Sequence, residues 1–234
     1  MSAYAEIFRG MSPARVLDVA TGGGAFLQLL QSELGHFDEM IGVDTNERGA
    51  ASFARAFEGQ ANIRFLPMDA HCLDFPDGHF DMVCISNSLH HFDDPQVILT
   101  EMLRVLHPGG VLVAAEMVRD DQTPTQQTHV LLHHWWAAVD RASGMVHHET
   151  YSRDELTALF QTLALKNMQT HEVCELGDDP LDAGLLADMD RAIDRYMERA
   201  GEDAELRQRG AALRERLHTV GAHGATTCIL IGTK

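Results

Sequence analysis

The chain has 234 residues, 45% of them hydrophobic, enough for one globular domain with a substantial core and an added lobe. Its 18 Lys and Arg stand against 35 Asp and Glu, a formal net charge of −17, and no basic run interrupts that balance. Such a field repels a polyanionic backbone, which argues against nucleic acid as a partner and suits a neutral or cationic small ligand.

The first ten residues, MSAYAEIFRG, lack a basic segment followed by an apolar one, so no signal peptide is expected. Nowhere do 18 apolar residues run together, so no membrane span is expected either. Cys72, Cys84, Cys174 and Cys228 form no C-x-x-C pair, and two of them sit in apolar runs as reduced thiols would. These features together predict a cytoplasmic protein.

Strand and helix patterns alternate from the start. Arg15–Ala20 reads as a strand that ends at Gly22-Gly23-Gly24, and Phe26, Leu29, Leu30 and Leu34 then mark a helical stripe. Met40–Val43 is a second strand ending at Asp44, followed by a helix carrying Ala50, Phe53, Ala54 and Phe57. Ile63–Leu66 and Phe80–Ile85 are the third and fourth strands. A helix with Leu99, Met102, Leu103 and Leu106 stops at the breaker His107-Pro108-Gly109-Gly110, and Gly110–Glu116 is the fifth strand. Units of this kind joined by short loops predict a parallel sheet with helices on both faces.

The pattern changes after Glu116. Residues 118–150 carry the polar run TPTQQT, the stripe Leu132, Trp135, Trp136, Val139, and then GMVHHE. Ser152 and Glu155 have capping-box spacing, residues 165–173 suit a strand, and residues 181–219 read as two helices. The last strand is 226–232. The predicted fold is α/β: a Rossmann-like, doubly wound, mostly parallel seven-stranded sheet with helices on both faces and helical lid insertions. A single domain over residues 1–234 has its ligand-binding core at 14–117 and its lid at 118–150 and 181–219.

The glycine loop poses a choice of ligand. A dinucleotide fingerprint, G-x-G-x-x-G, needs a third glycine for close helix–strand packing. Gly22 and Gly24 fit the first two positions, but Leu27 stands at the third, and the anionic Asp18 precedes the loop. Both features weigh against a pyrophosphate and fit a ligand bearing a cationic amine.

Four segments in order carry a family resemblance: VLDVATGGG, IGVDTN, MDAHCLDFPDGHFDMVCISNSLHHFDD and RVLHPGGVLVAAE. Over about residues 14–117 the chain resembles the class I S-adenosylmethionine-dependent methyltransferases, in particular the small-molecule branch that includes quinone-ring enzymes. TYSRDELTALF is a weaker echo of it. The resemblance implies S-adenosylmethionine as cofactor, S-adenosylhomocysteine as product, and methyl transfer to O, C or N of a small molecule; a protein or RNA methyltransferase, or a non-catalytic binder of the same cofactor, is the alternative. Asp44 and the adjoining Thr45 would hold the ribose, a task a strand-end carboxylate can perform. Asp69 would face the adenine amine with Ala70 at the ring edge. Ala20, Gly22 and Gly24 would admit the methionine part, above an Asp18 that orders the loop or attracts the ammonium. Ser86 and Asn87 would line the groove near the sulfonium. The small-molecule acceptor, an aromatic one included, and a homodimer are the partners this reading leaves open.

The 14 histidines need separate treatment. His91, beside His90 after the fourth strand, is one candidate for proton transfer. On a helix, His129, His133, Trp136 and Asp140 share one face, and His147-His148-Glu149 follows. That face reads first as an ordinary polar surface with a half-buried Trp, second as a substrate wall with His133 as a base. A third reading, a metal held by His129, His133 and Asp140 or His147, has legitimate ligand spacing but lacks the Glu of H-E-x-x-H. No resident metal is expected.

Overall fold

The computed structural model describes residues 3–174, 176–177 and 179–234, without the side chains of residues 47 and 48. Seven strands form one sheet: β1 (Arg15–Val19), β2 (Glu39–Asp44), β3 (Ile63–Pro67), β4 (Phe80–Ser86), β5 (Leu106–Met117), β6 (Lys166–Val173) and β7 (Thr227–Thr233). Their order across the sheet is β3-β2-β1-β4-β5-β7-β6. The pairings from β3 through to β5 are all parallel, whereas β7 runs antiparallel to both β5 and β6. β5 starts earlier than the breaker suggested: Leu106 already pairs with Phe80, and the Pro-Gly-Gly segment falls where the register shifts before Met82–Val111.

The central strands read as continuous apolar runs because both faces are covered. Alternate residues serve opposite cores: Leu17, Val83, Ile85 and Leu230 join one cluster, Val16, Met82, Cys84, Ile229 and Ile231 the other. The first cluster packs on α4 (Pro95–Val105) and α6 (Arg153–Gln161); the second packs on α1 (Ala3–Phe8), α2 (Ala25–Glu33) and α3 (Glu47–Ala56). Helix starts follow local chemistry. Asp94 caps α4 with Pro95 in the first turn, and the expected capping box of Ser152 and Glu155 opens α6.

The remaining helices are α5 (Pro124–Ala142), α7 (Ala183–Arg199) and α8 (Ala204–Val220). They share a third core of Leu132, Trp135, Val139, Ile193, Leu206 and Leu217, separate from the two sheet cores. The fully buried Trp135 donates from Nε1 to the Leu206 carbonyl (2.8 Å) and packs on Gly210, where a side chain would collide with Trp135 and Met197. Among the described residues no helix is long and apolar enough to cross a membrane.

Candidate active site

The sheet order reverses between β1 and β4, and a cleft of about 560 Å³ opens at the carboxyl ends of the strands there. That is where open α/β sheets hold ligands. Ala20, Gly22, Asp44, Thr45, Asp69, Ala70, Asn87 and His91 all line the cleft, as sequence reasoning placed them near one ligand. Val43, Asn46, Met68, His71, Ser88 and Phe92 complete the wall and were not singled out from the sequence. Val43, Asn46, Met68 and Ser88 lie at or within three residues of a predicted strand end, the signal that could have found them; His71 and Phe92 lie further along the chain.

Asp44 ends β2, and its carboxylate accepts from the backbone N–H of Gly22 and of Asn46, each at 2.8 Å. Those bonds aim the group and leave further lone pairs for hydroxyl donors. Asp69 sits at the exposed rim, where the backbone and ring N–H of His71 donate to it at 2.9 and 2.7 Å. These bonds hold its carboxyl below the usual range. Ala20 and Asn87 both adopt left-handed backbone (φ +55° and +46°), strained for residues with a Cβ. Asn87 is held there by its N–H to the Ala115 carbonyl and by its side-chain oxygen, which accepts from Met117 N–H.

Three predicted cofactor residues lie outside the cleft wall. Asp18 is 1% exposed beneath the loop, where Thr21 Oγ1 donates to it at 2.6 Å and Cys84 Sγ approaches at 3.6 Å. Burial raises its pKa to about 7, against the lowering effect of these two bonds. Its position orders the glycine turn rather than presenting a charge to the cleft. Gly24 (φ +83°) begins α2, and a side chain there would strike the rings of Phe53 and Phe57 at 2.8 and 2.5 Å. Gly24 thus provides the close packing that Leu27, buried in the core, does not. Ser86 closes β4 with its carbonyl accepting from Ser88 Oγ at 2.8 Å.

The turn after β4 leads from the cleft into a chamber of histidines. Glu116, fully buried at the end of β5, accepts from the N–H groups of Ser88 (2.7 Å) and Leu89 (2.9 Å) and from His90 Nδ1 (3.0 Å). One carboxylate therefore fixes the short 3₁₀ turn Leu89–His91 and the ring that follows it. His91 faces the cleft on one side. On the other its ring lies 4.5 Å from that of His90 and 4.1 Å from that of His147. Burial of that inner edge, then the neighbouring His90 and His147, bring its pKa down to about 4, so His91 is neutral at pH 7. A neutral ring can accept a proton.

His133, the other predicted base, is set back from the cleft among these rings, 4.9 Å from His90 and 5.0 Å from His147 by centroid. Burial and the surrounding imidazoles hold it down to about 2. The helix face predicted from spacing divides. Trp136 stays with His133, Asp140 accepts from His147 Nδ1 at 2.6 Å, but His129 turns to accept from Ala225 N–H at 3.1 Å. The metal set first weighed, centred on His129, is therefore not what assembles. The functions of Glu116 and Asp140 as buried acceptors were not legible, because their partners lie on other elements.

Taken together, a nucleoside-sized cleft at the switch point, with carboxylates at the ends of β2 and β3, defines a doubly wound nucleoside-binding domain. Residues 17–114 match a family model described as a methyltransferase domain. A demethylmenaquinone methyltransferase of Thermus thermophilus is 42% identical over 106 residues, which cover 45% of this chain and 48% of that one. A Bacillus halodurans crystal structure, provisionally described as a methyltransferase, superposes with a TM-score of 0.65 at 15% identity, covering 99% of this chain and 97% of that one. The [4+2]-cyclase SpnF superposes at 0.62 with 20% identity, covering 98% and 77%. These two likenesses are of fold alone. Over residues 17–114 the chain is thus similar to methyltransferase domains, the quinone-ring C-methyltransferases among them. Its match spans about half the length of the curated relatives.

Proposed function

We propose that this protein transfers a methyl group from S-adenosylmethionine to a small aromatic molecule bearing a hydroxyl, a hydroquinone or phenol being the chemical type. The observation that carries this reading is the single cleft that runs from Asp44 and Asp69, at the strand ends, to the neutral His91. The similarity to the quinone-ring relatives supports the acceptor class. The excess of acid over base suits a cationic cofactor and a neutral acceptor in the cytoplasm.

The chain's own residues suit S-adenosylmethionine. Asp44 would take the ribose hydroxyls and Asp69 the adenine amine; the left-handed Ala20 and Gly22 keep side chains away from the path of the methionine part. When bound, that cofactor supplies a methyl group already activated by a positive sulfur. What is left to the protein is alignment and exclusion of water. Ser88 and Asn87 shape the cleft beside the acceptor, and His91, neutral and exposed to it, removes the acceptor proton.

Calorimetry with S-adenosylhomocysteine, followed by transfer of a labelled methyl to a demethylated naphthoquinol and to simple phenols, tests this. Binding plus product confirms it; binding of NADH instead overturns it. Binding without transfer to any acceptor favours a second reading, a different reaction on the same cofactor fold, for which the likeness to a cyclase is the motive. His91→Asn is expected to lower kcat by about 100-fold or more with S-adenosylhomocysteine affinity unchanged. An unaltered kcat removes the base from the mechanism.

A further inference from the structure

The chamber behind the cleft is more than a wall. We propose that His90, His133 and His147 bind a divalent transition-metal ion of the zinc class, leaving a coordination position open beside His91.

Three features carry it. One ligand nitrogen from each ring lies within 4.8 Å of those of the other two, although the rings come from the turn after β4, from α5 and from the segment after α5. Nitrogens at the corners of a triangle with that side lie about 2.8 Å from its centre, against a bond of roughly 2.0–2.1 Å. Small side-chain rotations close that gap.

The second feature is the unmet hydrogen-bonding capacity. His90 Nε2, His133 Nδ1 and His147 Nε2 are buried and have no hydrogen-bond partner. His90 is fully buried and His147 is 4% exposed, so solvent does not supply one. Three orphaned imidazole nitrogens in one chamber are costly unless something accepts their lone pairs or protons together.

The third is how the rings are held. His90 donates from Nδ1 to Glu116 (3.0 Å), and His147 donates from Nδ1 to Asp140 (2.6 Å). A carboxylate on the far nitrogen fixes the tautomer that leaves Nε2 as a ligand and makes it more basic, as in carboxylate–histidine–metal sites. Asp140 is itself anchored by Arg199 and by Tyr196 Oη (3.3 Å), so its carboxylate is committed to positioning. Three imidazoles with an open fourth position suit zinc and its neighbours, not calcium or magnesium.

If the proposed function holds, the open position would receive the acceptor's hydroxyl oxygen. The ion would favour the oxyanion, with the released proton passing to His91 or water. Metal binding itself does not depend on that reading.

Untagged protein freed of metal by chelator dialysis is titrated with Zn²⁺ against a chromophoric chelator, and with Co²⁺ by visible absorption. Tight binding at one ion per chain, with a Co²⁺ spectrum of nitrogen-rich low coordination, is the expected result. His133→Gln and His147→Gln should each weaken Zn²⁺ by more than 100-fold; Asp140→Asn, acting through His147, should weaken it by about 10–100-fold. S-adenosylhomocysteine affinity, unchanged in these variants, reports that they remain folded. Absence of tight binding in the parent protein, or a zinc affinity that ignores both His substitutions, overturns the site. S-adenosylhomocysteine bound without metal overturns the metal site alone; metal bound without S-adenosylhomocysteine overturns the cofactor reading alone.

Discussion

The cofactor cleft and the histidine chamber meet at one turn, Ser86–His91, yet they are built in opposite ways. The cleft takes its residues from strand ends and backbone turns between Ala20 and Phe92, and local motifs announce eight of its fourteen lining residues. The chamber gathers single side chains from residues 90, 116, 133, 140 and 147, and none is adjacent to its partner in the chain. A cleft made by a repeating strand–loop–helix unit constrains sequence locally. A chamber closed by an inserted helix constrains it only through tertiary contacts.

That contrast can be broken most sharply at Trp135, which belongs to the third core alone. Trp135→Ala removes a fully buried ring and its bond to Leu206, and should cost about 3–5 kcal/mol by denaturant unfolding. If the two regions are separable, S-adenosylhomocysteine affinity falls far less than stability does. Equal losses would show that the third core supports the cofactor site.

Asp18 tests the other side. Burial raises its folded-state pKa to about 7, well above the ordinary carboxylate range, so the folded protein keeps a proton that the unfolded chain releases. The sign is opposite to that of a salt-bridged carboxylate. The contribution is whole below about pH 4 and is lost as pH rises to about 7, amounting to about 4 kcal/mol. Urea unfolding of the wild type against Asp18→Asn across that range should show the slope only in the wild type. Parallel profiles would mean that Asp18 is already ionised when folded.

A smaller effect is expected at Asp44. Asp44→Ala removes the acceptor for Gly22 and Asn46 N–H and for a ribose, and should weaken S-adenosylhomocysteine by about 2–4 kcal/mol in calorimetry. Unchanged affinity would detach the β2 end from the cofactor. Least of all should follow from Arg64→Ala, which breaks the exposed pair with Glu39 away from both regions. Its effect on melting should stay within about 0.5 kcal/mol.

How far the sequence reached can be traced residue by residue. Apolar runs located the central strands, because a sheet covered on both faces demands them, whereas the exposed edge strand β6 carries no such run. Asp44 was legible because a carboxylate closing a strand is visible in one dimension; Asp69, two residues past β3, was marked by the family resemblance. Asp18 was legible as important, but its direction was not: whether a side chain under a glycine turn faces ligand or core depends on how Thr21 and Cys84 pack around it. Gly24 was assigned to the ligand, and only the position of Phe53 and Phe57 reveals that it makes room for rings.

The histidines mark the limit. Helical spacing put His129 with His133 and Asp140, yet the segment leading into β7 supplies Ala225 N–H and draws His129 away. His90, which the sequence set only beside His91, is turned toward His133 and His147 by a carboxylate 26 positions further on. The sequence by itself determined the doubly wound sheet and the cleft at its strand ends, since both follow from periodicity and from the order of the strand–helix units. Tertiary structure alone decided which imidazoles meet, since a buried polar group goes wherever the folded chain brings it a partner.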